Sequence, residues 1–149
     1  MEIKRIYHIG ITVKNLEKTV KFYRDILGLK MIEPPTKPCA EKSNGKAVGV
    51  EGAVTRICLF EIAKGHVIEF LEYQPESPIE KPVPMNALGA HHVALLVDDI
   101  DAYVEKLKQH GVEFLYEPLT IRGGYYRGVK WVYFKDPDGI IVELMEETE

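Results

Sequence analysis

The sequence predicts an α+β fold built from two tandem β-α-β-β-β modules that together form a single domain of residues 1–149. The first observation is an internal repeat, because residues 8–32 align with residues 92–115 at an offset of 84 until one deletion. The second is that residues 57–72 align with residues 131–146 at an offset of 74. Both copies read in the same order, as a strand, a helix, a glycine and further strands.

Each half begins with an apolar strand and a helix whose two ends are marked. Asn15 and Asp99 are residue types that cap helix N-termini. Apolar residues follow at helical spacing in both copies: Leu16, Val20, Tyr23 and Leu27 in the first, and Ile100, Val104 and Leu107 in the second. Gly28 and Gly111 then occur where a left-handed C-terminal cap ends a helix.

Each half ends with two strands joined by a turn that finishes in glycine, "AKG" in the first copy and "DPDG" in the second. We therefore predict a first module over residues 1–73 and a second over residues 91–149. The linker between them, residues 74–90, contains four prolines. The extra length of the first half falls on residues 33–53, which are predicted to form a long loop of the kind that often serves as a lid or binding loop.

Composition excludes several classes of protein. Apolar residues make up 46% of the chain, which is enough for a core, and the net charge of −4 argues against nucleic-acid binding. No segment has the apolar length of a signal peptide or a membrane span, so we expect a cytoplasmic protein without a membrane partner. Cys39 and Cys58 are too few for a disulfide framework or a thiolate metal site, and we expect two free thiols.

The repeat distinguishes two adjacent histidines, His91 and His92. His92 aligns with His8, and neighbouring side chains on a strand point to opposite faces. We therefore predict that His8 and His92 occupy equivalent positions facing a site. His91 is expected to point towards the helix side or solvent, where it needs only an ordinary hydrogen-bond partner.

Two carboxylates repeat as well, since Glu69 and Glu143 lie at equivalent places within apolar strands. Burying an unpaired carboxylate is costly, so each must be protonated, paired with a cation or bound to a metal. Two histidines and two glutamates, one of each per half, can converge across a pseudo-twofold axis and suit Zn²⁺, Ni²⁺, Co²⁺, Mn²⁺ or Fe²⁺. The alternative that stays open is pairing of the glutamates with arginines, for which the candidates are Arg5, Arg56 and Arg127.

The segments "HIGITVKNLEKTVKFYRDILGLK", "HVIEFLE", "HHVALLVDDIDAYVEKLKQHGV" and "FKDPDGIIVEL" resemble the vicinal oxygen chelate superfamily. This group includes glyoxalase I, methylmalonyl-CoA epimerase, extradiol dioxygenases and bleomycin resistance proteins. The resemblance covers nearly the whole chain and implies paired βαβββ modules whose mixed sheets curve around a metal-centred cup. It further implies a homodimer and one divalent metal ion held by His8, Glu69, His92 and Glu143.

The resemblance also implies an activity, a metal-dependent lyase or isomerase of the glyoxalase I type. Its small substrate would chelate the metal through neighbouring oxygens, and a base would remove the proton next to a carbonyl. Glu143 is the first candidate for this base, Glu69 is the symmetric alternative, and Glu51 is a third. Glu51 stands near the place of a second catalytic carboxylate in methylmalonyl-CoA epimerases, whose linker also resembles "SPIEK" here.

Three other functions remain open at this point. They are an isomerase of the methylmalonyl-CoA epimerase type, a non-catalytic resistance protein that binds a drug, and an extradiol dioxygenase. The segment "TIRGGYYRGVKW" reads either as a turn with exposed aromatic residues or as a rim. In the second case Tyr125, Tyr126 or Arg127 would contact a substrate carboxylate or phosphate. Arg56 is a further predicted substrate contact.

Overall fold

The computed structural model describes residues 2, 4–40, 45–74 and 84–147. The chain divides into two compact units, Met1–Lys81 and Pro82–Glu149, and each unit has its own mixed sheet beside a helix. The predicted α+β class is therefore confirmed. The predicted linker falls largely on residues 75–83, which lie outside the described residues, as does "SPIEK", so the module boundaries stay a prediction. No helix in the described ranges is long and apolar enough to cross a membrane.

The described residues of the first unit form one helix and five strands. Its elements are β1 (Ile9–Thr12), α1 (Leu16–Val20) with a π-helical continuation (Lys21–Ile26), β2 (Lys30–Glu33), β3 (Cys39–Ala40), a 3₁₀ turn (Lys46–Val48), β4 (Val54–Ala63) and β5 (His66–Gln74). The strand order is β1-β5-β4-β2, with β3 added on β4. β1 runs parallel to β5 and the other pairs are antiparallel, so the helix is the crossover between β1 and the rest of the sheet.

The second unit repeats this plan with fewer residues. Its elements are β6 (Val93–Leu96), α2 (Ile100–Gln109), β7 (Leu119–Thr120), β8 (Lys130–Lys135) and β9 (Ile141–Glu146). The strand order is β6-β9-β8-β7, and β6 is parallel to β9 just as β1 is parallel to β5. The sheet position of each repeated strand is therefore the same in both units.

The helix boundaries follow the sequence signals at both ends. Asn15 Oδ1 accepts a hydrogen bond from the Lys18 amide at 2.8 Å, and Asp99 Oδ1 accepts one from the Ala102 amide at 2.9 Å. Gly28 and Gly111, after the two helices, have φ angles of 85° and 76°. These values lie in the left-handed region that glycine adopts without the clash of a Cβ atom.

Two details differ from the predicted elements. The first helix widens into π geometry, and the Leu27 amide donates to the Phe22 carbonyl five residues back at 2.9 Å. The wider turn places both Phe22 and Tyr23 among the buried residues. In the second unit, the strand predicted after Gly111 is reduced to an isolated bridge between Phe114 and Phe134, followed by the short β7.

The predicted loop of residues 33–53 is more structured than expected. It contains β3, which pairs with β4, and the 3₁₀ turn, while residues 41–44 lie outside the description. The Thr36 side chain accepts a hydrogen bond from the Ile57 amide at 3.0 Å, and the Thr36 amide donates to the Ile57 carbonyl at 2.9 Å. These contacts fix the start of the segment to the sheet.

The core of each unit lies between the helix and one face of its sheet. In the first unit the Tyr23 ring contacts Phe70 and Phe60, with centroids 4.4 and 6.2 Å apart. Phe134, which is equivalent to Phe60, is fully buried in the second unit and packs on Phe114 at 5.7 Å. The apolar positions of the repeat therefore form matching cores and leave the opposite face of each sheet to the candidate site.

Candidate functional site

The first candidate pair, His8 and Glu69, lies on the sheet face opposite the first helix. Glu69 is in the middle of β5, directly beside Gly10 of the parallel strand β1, and His8 immediately precedes β1. His8 Nε2 is 3.3 Å from Glu69 Oε2. The side chains are 41% and 19% exposed, so the pair remains open to solvent on the histidine side.

The second pair, His92 and Glu143, is built in the same way. Glu143 is in the middle of β9 beside Ala94 of β6, and His92 immediately precedes β6. His92 Nε2 is 3.0 Å from Glu143 Oε2, and only 10% of the Glu143 side chain is exposed. The two histidines that align at the offset of 84 thus each lie beside the glutamate of their own unit.

Both histidines have an edge-on aromatic neighbour, which is Tyr7 at 5.9 Å for His8, but the glutamate has an aromatic cross-strand neighbour in the second unit and not in the first. Tyr133 is the cross-strand neighbour of Glu143, and its ring lies edge-on to the His92 ring with centroids 5.2 Å apart. Trp131 packs against Tyr133 at 4.9 Å. In the first unit the neighbour of Glu69 is Leu59. The second carboxylate therefore has a bulkier cross-strand neighbour and is less exposed, at 10% against 19%.

This enclosure changes the acidity of the second site. Burial raises the pKa of the Glu143 carboxyl above its ordinary value, and the nearby His92 opposes the rise only in part. Burial and the negative charge of Glu143 together raise the pKa of the Tyr133 phenol. Both directions follow from the cost of keeping a charge where water is partly excluded.

His91 lies where strand alternation predicts. It is exposed, and its Nδ1 is 3.3 Å from the Gly89 carbonyl oxygen, which is the ordinary partner expected for a histidine outside the site. Its neighbour His92 faces Glu143. The register taken from the repeat therefore separates the two histidines in the structure.

Arg56 occupies a different place from the substrate contact predicted for it. Its Nη1 is 3.2 Å from Glu72 Oε1 and its Nη2 is 2.5 Å from Glu17 Oε1. Glu72 is three residues from Glu69 on the same strand and therefore lies on the helix side of the sheet. The guanidinium is thus turned away from the His8–Glu69 pair, and neither Glu69 nor Glu143 has an arginine among its contacts in the described part of the chain.

The remaining predicted residues lie on exposed turns. Tyr125 is 95% exposed and Tyr126 is 53% exposed, and their rings contact each other at 5.0 Å. The turn that carries them is closed by the Ile121 amide, which donates to the Val129 carbonyl at 2.9 Å. Arg127 on this turn and Glu51 before β4 are exposed as well. Their predicted contacts with substrate stay predictions.

A family model described as the Glyoxalase/Bleomycin resistance protein/Dioxygenase superfamily matches residues 5–144. The chain belongs to this superfamily. A 2-epi-5-epi-valiolone epimerase from Actinomyces is 31% identical over 94% of this chain and 78% of its own. Human mitochondrial methylmalonyl-CoA epimerase is 32% identical over 94% of this chain and 72% of its own. A glyoxalase-family protein from Bacillus cereus has the same fold, with a TM-score of 0.85 at 24% identity over 100% of this chain and 97% of that one.

Members of this superfamily commonly use a divalent metal. The donors in this member fit such an ion, because imidazole nitrogen and carboxylate oxygen are ligands that borderline divalent metals accept. Within either unit, the described residues form no group of three or more histidine, cysteine, aspartate or glutamate side chains able to hold a metal. Each unit therefore offers one nitrogen and one oxygen donor, which is half of the predicted ligand set.

Two groups of residues were missed by reasoning from the sequence. The repeat does not indicate Tyr133 and Trp131, because they differ from Leu59 and Ile57 at the equivalent positions. Glu72 and Glu146 do match at the offset of 74. Their hydrogen bonds to the helix N-termini serve the fold and not the site.

Proposed function

We propose that this superfamily member is a metal-dependent isomerase that transfers a proton at a carbon next to a carbonyl group. The observation that carries the proposal is the His–Glu pair, which is repeated at the same register position in both sheets. Two relatives that cover nearly the whole chain are named as epimerases, and proton transfer next to a carbonyl is one way to invert such a carbon. The glyoxalase I type of reaction shares this first step.

In this proposal His8, Glu69, His92 and Glu143 hold one divalent ion. Candidates are Zn²⁺, Ni²⁺, Co²⁺, Mn²⁺ and Fe²⁺, all of which accept mixed nitrogen and oxygen ligands. When bound, the ion supplies Lewis-acid stabilisation of the negative charge that develops on a substrate oxygen. The substrate is a small molecule with two neighbouring oxygens, and a homodimer remains the expected assembly.

Glu143 is the proposed base. Its carboxylate oxygen takes the proton from the carbon next to the carbonyl, and the electron pair of the broken C–H bond moves into the enolate. Delivery of a different proton to the opposite face of that carbon, relayed from water through Glu69, gives the epimer. Glu143 then releases its proton to water, so that both carboxylates are restored. Glu143 is preferred because its surroundings exclude more water, which would otherwise compete as proton donor. Glu51 is the third candidate.

Solvent exchange tests the proposal directly. Wild-type protein supplied with each candidate metal should introduce deuterium from D₂O at the carbon next to the carbonyl of a hydroxy ketone, of methylmalonyl-CoA or of the methylglyoxal–glutathione hemithioacetal. Glu143→Gln should retain the fold and lose about 10²–10⁴-fold in exchange rate, because the amide is a poor base. Net conversion of the hemithioacetal would assign the glyoxalase I type of reaction.

The matched control is Glu146→Gln, three residues further along the same strand but on the helix side of the sheet. It should exchange at the wild-type rate. Absence of exchange in metal-supplied wild type with every substrate, or full activity of Glu143→Gln, would contradict the proposal. Consumption of oxygen in place of exchange would indicate a dioxygenase.

A further inference from the structure

An apolar row of side chains lies next to Glu143 on the second sheet. Strand register places Leu96, Met145, Trp131 and Leu119 side by side across four strands. The preceding row on the same face contains Ala94, Glu143 and Tyr133. Leu96 and Leu119 are 66% and 45% exposed, and Trp131 and Met145 are half-buried. Apolar surface is therefore accessible one pleat away from the proposed base.

Trp131 and Tyr133 also line a surface groove together with Leu115, Tyr116 and Leu119. Within the described residues, the charged side chain that lines this groove is Glu117, whose carboxylate is 3.4 Å from Lys108 Nζ. Edge-on ring contacts lead from Trp131 through Tyr133 to His92. A ligand near His92 and Glu143 could therefore extend along Tyr133 onto Trp131.

The equivalent row of the first sheet has no aromatic residue. Thr12, Leu71 and Ile57 lie at the positions of Leu96, Met145 and Trp131. The first sheet forms with this smaller set, so the framework itself does not require a tryptophan. The large aromatic surface beside Glu143 is therefore specific to the second of the two units.

We propose that Trp131 determines substrate specificity by packing against the carbon ring of a neutral alicyclic hydroxy ketone. This inference rests on the proposed function, which places the two substrate oxygens next to His92 and Glu143. An aromatic side chain presents a broad apolar face, against which the C–H groups of a saturated six-membered ring can pack. The apolar row offers no hydrogen-bond or ionic partner for a carboxylate or phosphate, so a neutral substrate is favoured.

Two hydroxy ketones with the same pair of neighbouring oxygens can be compared to distinguish the contribution of the ring to binding from that of the reacting group. They are 2-hydroxycyclohexanone, which has a six-membered ring, and acetoin, which is open and has two carbons fewer. NMR titration of wild-type protein with Zn²⁺ present should show that the cyclic ketone binds about tenfold more tightly, as burial of two further methylene groups predicts. The fluorescence of Trp131, the one tryptophan in the sequence, should change in saturable fashion with the cyclic ketone.

Three variants test whether Trp131 is responsible for the preference for the cyclic ketone. Trp131→Leu should lose the preference for the ring while its affinity for acetoin stays unchanged, and Trp131→Phe should keep most of the preference. Ile57→Val, at the equivalent position of the first sheet, should bind both ketones as wild type does. Circular dichroism and the thermal unfolding midpoint verify that each variant is folded.

The outcomes separate this inference from the proposed function. Ring-selective binding that Trp131→Leu removes supports the role of Trp131 whether or not deuterium exchange occurs, because exchange reports on the base. Exchange without ring selectivity would support the isomerase and overturn the role of Trp131. Equal binding of the two ketones, binding of neither, or an unchanged preference in Trp131→Leu would each overturn it.

Discussion

The two His–Glu pairs have the same backbone positions and different surroundings. The first has a longer contact, 3.3 Å against 3.0 Å, and a more exposed glutamate, 19% against 10%. The cross-strand neighbour is Leu59 in one unit and Tyr133 in the other. The backbone plan thus fixes where the ligand-type residues stand, while the neighbouring side chains decide how each carboxylate behaves.

The opposite faces of the two sheets show much less difference. Glu72 Oε2 accepts a hydrogen bond from the first helix at the Leu16 amide, 2.9 Å away, and Glu146 Oε2 accepts one from the second helix at the Ile100 amide, 2.7 Å away. Each carboxylate satisfies a donor that a helix N-terminus leaves without an intrahelical partner. The last strand and the helix of each unit are joined in the same way.

The cations beside these carboxylates repeat as well. Arg56 pairs with Glu17 of the first helix, and Lys130, at the equivalent position, pairs with Asp101 of the second. The two units therefore share their helix-side contacts and diverge on the other face. Such a division is expected when one face maintains the fold and the other adapts to a ligand.

Removal of a histidine should have the largest effect. His92→Ala should weaken metal binding by at least about a hundredfold, because the loss of a ligand exceeds the 10–100-fold typical of its supporting residues. His8→Ala should lose less, since water can replace a more exposed imidazole. Calorimetric titration of the metal-free protein with Zn²⁺ and Ni²⁺ measures both.

His91→Ala is the matched control for these variants, and it should bind metal as wild type does. Its imidazole contacts the Gly89 carbonyl and no carboxylate among the described residues. Equal losses in His91→Ala and His92→Ala, with both proteins folded by circular dichroism, would show that the repeat does not assign the ligands. A greater loss in His8→Ala than in His92→Ala would reverse the comparison of the two pairs.

The repeat explains why so much of the fold could be predicted. The helix caps at Asn15 and Asp99 are local, since each side chain accepts a hydrogen bond from the amide three residues further along the chain. The placement of His92 and Glu143 on one face is long-range, and the sequence indicated it only because a second copy supplied the register. Apolar periodicity alone does not decide which face of a strand a histidine takes.

Two features of the structure escaped prediction, and each depends on a long-range contact. The guanidinium of Arg56 could have joined Glu69 or Glu72 as far as the sequence is concerned, and strand alternation decided for the helix side. The strand expected after Gly111 requires a partner of matching length, and only Phe114 forms a bridge there. Residue type alone reveals neither outcome, and strand alternation assigns Arg56 to the face of Glu72 once the register of β4 and β5 is known.

The helix-side carboxylates should give the next largest effect. Glu72→Ala should lower the free energy of unfolding by about 2–3 kcal/mol, because it removes a buried partner of Arg56 and leaves the Leu16 amide without its acceptor. Glu146→Ala should lower the free energy of unfolding by about 1 kcal/mol. Glu146 is less buried than Glu72, and Lys130, the equivalent of Arg56, pairs with Asp101 of the helix. Urea unfolding of the metal-free proteins at pH 7 measures the difference.

Glu72→Gln serves as the control, because an amide oxygen can still accept from Leu16 while the charge is lost. The free energy of unfolding of Glu72→Gln should lie between those of wild type and Glu72→Ala. Equal costs for the two alanine variants would mean that Arg56 adds nothing to the capping interaction, and the faces would then be equivalent in energy as well as in geometry.

The smallest expected effect concerns the two cores. It tests whether a core residue of one unit can replace its equivalent in the other. Cys58 and Val132 are equivalent in the repeat, and both are buried, at 0% and 2% exposure. Cys58→Val should change the free energy of unfolding at pH 7 by less than about 1 kcal/mol, because valine is of similar size and favours strands. Urea unfolding is again the measurement, and a larger loss would show that the two cores are packed differently.

The stability of Cys58→Val should differ from that of wild type at high pH. Burial raises the pKa of the Cys58 thiol to about 12, against an ordinary value of 9.0. The folded protein therefore holds the thiol proton more tightly than the unfolded chain, so the associated stability is present below about pH 9 and declines as the pH rises towards 12. Between pH 7 and pH 10 wild type should lose about 1 kcal/mol more than Cys58→Val, which has no thiol at this position. Parallel losses in the two proteins would indicate that water reaches the Cys58 sulfur, and the first core would then be more open than its counterpart around Val132.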